Sequence, residues 1–369
     1  MLWDILSVAS MYNKKFHARG DCMETYKLST LVWELTMGCN LRCQHCGSAC
    51  QGKLDTELTQ SEALAVAQQI IDAKPSWISL SGGEPLLRKD WSSIVRKISQ
   101  SGIDVRMVTN GTMITDSVAS EMHDAGISLV SISVDGLEKM HDSIRGNGVF
   151  KKVLNAFECL KRADVCIGVN TTLMKENIRQ LDELYSLFLE YGVSSWQIQP
   201  GIPEGRLSEH RDYVLSTEEI MQAIDFSLQK NQQQKIKIIL ADTVGYFTRN
   251  EILSRMLALN SERPIVFKGC NAGVRSLGIL HNGDVVGCTS IRKPEFIEGN
   301  LKKRTLKDIW NDPNAFSWRR NMKVSDLGPK CQKCRYAETC LGGCTNIRLA
   351  MEGSINADNP LCVYAACSL

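Results

Sequence analysis

Between residues 31 and 200 the chain alternates short apolar, β-branched runs with longer segments of helical period. Runs at 31–36, 77–80, 103–108, 127–134, 165–171 and 194–199 predict strands, and the stretches 61–73, 90–101, 115–125, 150–162 and 177–191 predict helices between them. Thr59 and Glu62 have the spacing of a capping box ahead of the first of these helices. Strands alternating with helices imply an α/β fold with a parallel sheet, because parallel neighbours need a crossover and helices supply it. Ligands are then expected at the C-terminal ends of the strands. The pattern alone leaves open whether the sheet is flat, closed or a partial barrel. After Gly201 the alternation fades into a mainly helical stretch with a polar patch at 230–235. From about Pro264 it changes again: runs at 277–280 and 284–288 flank Asn282-Gly283, a hairpin turn in which both residues tolerate positive φ. The remainder predicts short helices, with no internal repeat and no low-complexity tract.

The 369 residues are 43% hydrophobic, enough for a large core. A net charge of +2 gives no electrostatic reason to expect nucleic acid or an anionic membrane as partner. Fifteen cysteines are too sparse overall, and too clustered locally, for a disulfide-stapled secreted scaffold, so metal is the better reading. Leu2 to Met11 is a short, mainly apolar stretch, but Asp4 interrupts it and the basic residues Lys14, Lys15, His17 and Arg19 follow it, the wrong order for a signal peptide. No run approaches the roughly 18 apolar residues of a membrane span. A cytoplasmic protein with reduced thiols is expected.

Cys39, Cys43 and Cys46 stand on one short loop after the first predicted strand. Three thiolates so placed can converge on three irons of one cubane and leave the fourth iron without a protein ligand. A zinc site completed by His45 or Cys50 is the alternative. Gly82-Gly83-Glu84-Pro85 follows the second predicted strand; two residues without Cβ allow close approach of the main chain, and a carboxylate can face an ammonium. Thr109-Asn110-Gly111, Ser133-Val134-Asp135-Gly136 and Asp142-Ser143-Ile144-Arg145-Gly146 come next in order. This ordered set resembles the radical S-adenosylmethionine (SAM) superfamily. The resemblance implies that Cys39, Cys43 and Cys46 hold the cluster that cleaves SAM, and that Gly82, Gly83, Glu84 and Pro85 form the element that holds the SAM amino group. It also implies Ser133 and Arg145 as ligands of the SAM carboxylate, Asn170 as a ribose contact, and Asn110 as part of the cofactor site.

A second series comprises Cys270, Cys288, Cys331, Cys334, Cys340, Cys344 and Cys362. A zinc ribbon could use Cys331, Cys334, Cys340 and Cys344 but would leave three cysteines unexplained. The spacings resemble the SPASM domain, an extension of radical SAM enzymes with two auxiliary 4Fe-4S clusters. By that resemblance Cys331, Cys334, Cys340 and Cys362 ligate the outer cluster, and Cys270, Cys288 and Cys344 the inner one. Where some relatives place a fourth inner thiolate this chain has Ser276, so either Cys367 substitutes or one iron is open. Of the other cysteines, Cys159 and Cys166 read as packing residues, Cys50 as a neighbour of the first cluster, and Cys22 has no assigned part.

The resemblance implies a partial (β/α)6 barrel over residues 31–200 after an N-terminal segment 1–30, a helical bridge over 201–263 and a SPASM domain over 264–369. It implies SAM and three 4Fe-4S clusters as cofactors and an external flavodoxin- or ferredoxin-like electron donor. Peptide modification, such as crosslinking of a ribosomally made peptide, is the expected activity. A tetrapyrrole or other cofactor-biosynthesis role is the alternative among enzymes, and a metal-bound scaffold the alternative outside them. Thr289 after Cys288, and His45 where an aromatic residue is usual, depart from the sulfatase-maturase pattern. Only 38 residues precede Cys39, fewer than the roughly 40 below which chains rarely fold alone. Leader recognition is therefore expected from a separate protein or from the bridge.

Overall fold

The computed structural model describes residues 26–367, the last without its side chain. Cys22 lies outside this range, as does the side chain of Cys367. Six parallel strands alternate with helices as the pattern predicts: β1 (Thr30–Glu34), β2 (Trp77–Ser81), β3 (Asp104–Thr109), β4 (Ile127–Ser133), β5 (Ile167–Leu173) and β6 (Ser195–Pro200). The helices are α1 (Gln60–Ala73), α2 (Trp91–Ser99), α3 (Asp116–Ala125), α4 (Glu138–Arg145), α5 (Val149–Arg162), α6 (Leu181–Glu190), α7 (Thr217–Asn231) and α8 (Arg249–Ala258). Thr59 and Glu62 form the expected capping box at α1, each side chain bonding the other's backbone N–H.

Two features extend this frame. A seventh strand, β7 (Lys237–Leu240), lies within the stretch expected to be mainly helical and pairs with β6, Gln197 facing Ile239. Its four residues follow a polar patch, too short a run to register as alternation. The predicted hairpin forms as β8 (Ser276–Ile279) and β9 (Asp284–Val286), with β10 (Ile297–Asn300) beyond it. β8 does not stand apart from the barrel: it runs parallel to β1, Leu31 against Leu277 and Trp33 against Ile279. It thereby covers the edge that β1 would otherwise expose. The strands follow the order β10-β9-β8-β1-β2-β3-β4-β5-β6-β7, so the sheet is open, with β7 at one margin.

Alternation along the strands separates two faces. In β3 and β6 every second residue is buried, and the outward set, such as Val105, Met107, Trp196 and Ile198, packs under the helices. Trp196 stands edge-on to Phe188 at 4.8 Å and to Phe226 at 5.6 Å, and its Nε1 donates to Thr171 Oγ1 at 2.8 Å. The inward set near the strand ends is polar, with Ser81, Ser133, Asn170, Thr172 and Gln199 facing one cavity. Among the described residues no helix is long and apolar enough to cross a membrane.

Candidate active site at the strand ends

The cavity of about 430 Å³ opens at the C-terminal ends of the strands. Cys39, Cys43 and Cys46 all line it, on a loop held by its backbone. Cys39 N donates to Gln51 O (2.9 Å), Gln44 N to Ile144 O (3.0 Å), and Arg206 Nε to Cys43 O (2.7 Å). Burial raises the Cys39 and Cys43 thiols, and the neighbouring cysteines raise them further, so the three sulfurs share one electrostatic environment. Cys46 is pulled down, chiefly because the Cys50 thiol donates to it.

Gly82 and Gly83 also line the cavity, and their missing Cβ atoms answer a packing need besides the expected approach to a ligand. A Cβ on Gly82 would lie 2.4 Å from Thr36 O, and one on Gly83 would lie 2.1 Å from Gly38 O. The close approach that only glycine permits is therefore to the cysteine loop itself. Glu84, fully buried, points behind the cavity wall rather than into it; its carboxylate accepts from Thr109 Oγ1 (2.7 Å), Asn110 N (2.8 Å) and Leu86 N (3.2 Å). Burial raises its carboxyl, and these donors oppose the shift. Glu84 thus ties the end of β2 to that of β3, while Pro85, itself buried, opens a turn of 3₁₀ helix. Asn110, Ser133, Arg145 and Asn170 do face the cavity. Asn110 reaches the cysteine loop, its Nδ2 donating to Asn40 Oδ1 at 2.8 Å.

Sequence reasoning gave no part to the group that organises this floor. Asp135, fully buried, accepts from His45 Nε2 (2.6 Å), Arg145 Nε (2.5 Å) and Thr172 N (2.8 Å). Burial alone would raise its carboxyl, but Arg145 and then His45 hold it well below the usual range. The Nε2 of His45 is thereby committed to Asp135. The short helix α4 brings Arg145 here and buries His141, whose Nδ1 accepts from Asp135 N at 3.2 Å.

Burial, and then Arg145, pull the His141 imidazole down to about 4. A histidine held neutral contributes its full stability above its unfolded value near 6.5 and loses it as pH falls toward 4. The loss is roughly 3 kcal/mol. Denaturant titrations across this range should therefore show a steeper acid loss for the native chain than for His141→Gln, and equal slopes would contradict the assignment.

Further lining of the cavity comes from the C-terminal region and the segment after β6. Arg292 makes a two-point ion pair with Glu34 at the end of β1, one contact at 2.7 Å, and also donates to Ser48. Glu204, whose carboxyl is raised by burial, accepts from Asn346 Nδ2 at 2.8 Å. Among the described residues, Asn346 Oδ1 and Thr243 Oγ1 are buried without partners. These residues are far apart in sequence and no motif marks them.

The C-terminal cysteines fall into two electrostatic groups. Burial and then Cys270 push the Cys288 thiol up to about 11, and burial followed by Cys270 and Cys288 raises Cys344. Burial followed by Cys362 and Cys331 raises Cys340 to about 12. Cys362 in turn is raised by burial and by Cys331 and Cys334. Tyr246, Phe247 and Phe267 pack against Tyr336, Tyr364, Cys340, Cys344 and Cys362. Ser276 opens β8, its backbone in register with Thr30. Among the described residues no three His, Cys, Asp or Glu side chains converge on one point as a single ion requires.

Residues 33–188 match the model of the radical SAM superfamily, and residues 270–335 match that of an iron-sulfur cluster-binding domain, SPASM. The chain belongs to the radical SAM superfamily and carries a SPASM domain. This radical SAM enzyme is 28% identical over 340 residues to the AdoMet-dependent heme synthase of Methanosarcina barkeri, covering 90% of this chain and 96% of that one. It is equally 28% identical over 340 residues to the mycofactocin maturase MftC of Mycolicibacterium smegmatis, covering 90% and 82%. Among solved structures, Streptococcus suis SuiB bound to S-adenosylmethionine superposes with a TM-score of 0.71 at 18% identity, covering 90% of this chain and 76% of that one. Native anSMEcpe with bound AdoMet gives 0.69 at 21%, covering 91% and 94%. The cofactors of this radical SAM enzyme are accordingly SAM and iron-sulfur clusters.

Proposed function

We propose that this enzyme modifies a peptide by hydrogen abstraction, with Cys39, Cys43 and Cys46 holding the SAM-cleaving cluster and the C-terminal cysteines holding two auxiliary 4Fe-4S clusters. When bound and reduced, SAM and its cluster supply a 5′-deoxyadenosyl radical that takes hydrogen from an unactivated C–H bond. The chain's own part is to bind, orient and exclude water. Ser133, Arg145, Asn170 and the Gly82–Gly83 backbone are placed to hold SAM along the floor, with Asp135 fixing Arg145.

The observation that carries the peptide reading is the hydrogen-bonding balance of the lining formed by Glu204, Arg206, Thr243, Arg292 and Asn346. Each arginine lining the cavity already has acceptors: Arg145 has Asp135, Arg206 the carbonyls of Cys43 and Cys50, and Arg292 has Glu34. The atoms left without partners, Asn346 Oδ1 and Thr243 Oγ1, can accept, and the Glu204 carboxylate stands beside them. The Asn346 orientation is fixed by chemistry, since an ionised Glu204 can only accept. Such a wall suits a substrate rich in N–H donors, whereas a tetrapyrrole carrying several carboxylates calls for unpaired cations. An external one-electron donor, and a separate protein that recognises the leader, complete the proposal. The likeness to heme synthase over 96% of its length favours a tetrapyrrole as the second reading.

The test is anaerobic turnover with peptides encoded beside the gene and, in parallel, with an iron porphyrin. A peptide that loses two hydrogens with 5′-deoxyadenosine formation supports the proposal; unmodified peptides together with porphyrin turnover overturn it. Asn346→Leu should raise KM for the peptide about tenfold, the worth of one hydrogen bond to a buried group, while SAM cleavage without substrate is unchanged.

A further inference from the structure

The helix Thr345–Glu352 begins at Cys344 and carries Arg348, a guanidinium with no exposed surface. Among the described residues no carboxylate pairs with it. Its Nη2 makes only long contacts, to Leu341 O and Thr345 Oγ1 at 3.3 Å each and to Met322 Sδ at 3.8 Å. Nε and Nη1 have no partner among the described residues. A guanidinium cannot shed its proton to escape burial, so an unpaired one in a protein interior is strongly unfavourable unless something anionic stands beside it.

The groups that act on Arg348 electrostatically are Cys270, Cys331, Cys344 and Cys340. Two belong to each cysteine group, which places the guanidinium between the groups. The chain is also shaped around it. Leu341, Gly342 and Gly343 all have positive φ, which curls the link from Cys340 to Cys344 over the side chain. A Cβ on Gly342 would lie 2.8 Å from both Cζ and Nη1 of Arg348, so the backbone lies against the guanidinium where only glycine fits.

We propose that Arg348 is a shared charge-compensating residue of the two auxiliary clusters, its free Nε and Nη1 donating to cluster or thiolate sulfurs on either side. The inference rests on the assignment of those cysteines to two clusters. Reduction adds negative charge to a cluster, so a fixed cation beside it favours the reduced state and raises its potential. One cation between two clusters raises both. Arg348 is a positioning and tuning residue, since it acts through the clusters and not on the substrate.

The test uses the full chain with Cys39, Cys43 and Cys46 replaced by alanine, reconstituted anaerobically, so that only auxiliary clusters are observed in redox titrations followed by electron paramagnetic resonance. With Arg348 present, about eight irons per chain are expected for two cubanes; far fewer would remove the cluster assignment itself. Arg348→Met should shift both potentials to more negative values at unchanged iron content, and Arg348→Lys should recover most of the shift. Full iron with neither potential moved, or only one, overturns the proposal. If the methionine variant fails to load, labelling the unsubstituted chain with ¹⁵N-arginine decides: a nitrogen coupling to the reduced clusters that changes with the isotope is expected, and no such coupling overturns the proposal.

Discussion

Replacing Cys39, Cys43 and Cys46 together with alanine should abolish 5′-deoxyadenosine formation and remove about four of about twelve irons, since one cubane of three is lost. The fold should survive, because the loop is held by contacts that use no thiol. Cys39 N bonds to Gln51 O, Glu84 N to Gly38 O, and Arg206 reaches the Cys43 and Cys50 carbonyls. The triple variant is preferable to a single one, since Cys50 is hydrogen-bonded to Cys46 and could take its place as a ligand. Metal analysis and product assay on one preparation separate the outcomes. Continued SAM cleavage would dismiss the assignment of this loop, and loss of all twelve irons would mean that the cluster sites are not independent.

What the sequence made legible was local. The strands of the barrel lie within about two residues of their predicted positions, because apolar alternation and turn residues are written into each segment. The cysteine loop and the glycine pair are likewise readable, since their spacing is the chemistry. What escaped depends on residues meeting across the chain. β7 is too short to show a period, and α4 has only His141 and Ile144 as its buried face within a polar run. The pairing of β8 with β1 joins residues 276–279 to 30–33, which no local pattern specifies. Asp135 stood inside a recognised motif, yet its role appears only when His45 arrives from the cysteine loop and Arg145 from α4. Asn346 and Arg348 follow Cys344 by two and four residues and could have been singled out by that proximity, but nothing in their type distinguishes a cavity wall from a helix surface.

Arg292→Ala should cost about 3 kcal/mol or more, because it strands the buried partner of an ion pair. Glu34 is only 3% exposed, and its other side-chain donor is Ser48. Burial pushes its carboxyl up, while Arg292 pulls it down without cancelling the rise. With the guanidinium gone the rise is larger. A carboxyl whose folded value lies above its unfolded one is stable below the unfolded value and loses that stability as pH rises through the folded one. The deficit of Arg292→Ala should therefore grow from weakly acid to neutral pH, opposite in sense to the acid loss expected from His141. Adding Glu34→Gln to Arg292→Ala should recover most of the deficit, because a neutral amide needs no counter-charge in the cavity wall. Denaturation midpoints at matched iron content, measured for both single variants and the double variant, give the coupling directly. A deficit below about 1 kcal/mol that does not change with pH would show the pair to be as weak as an exposed one. The link between the C-terminal wall and the mouth of β1 would then have to come from the β8–β1 backbone pairing alone.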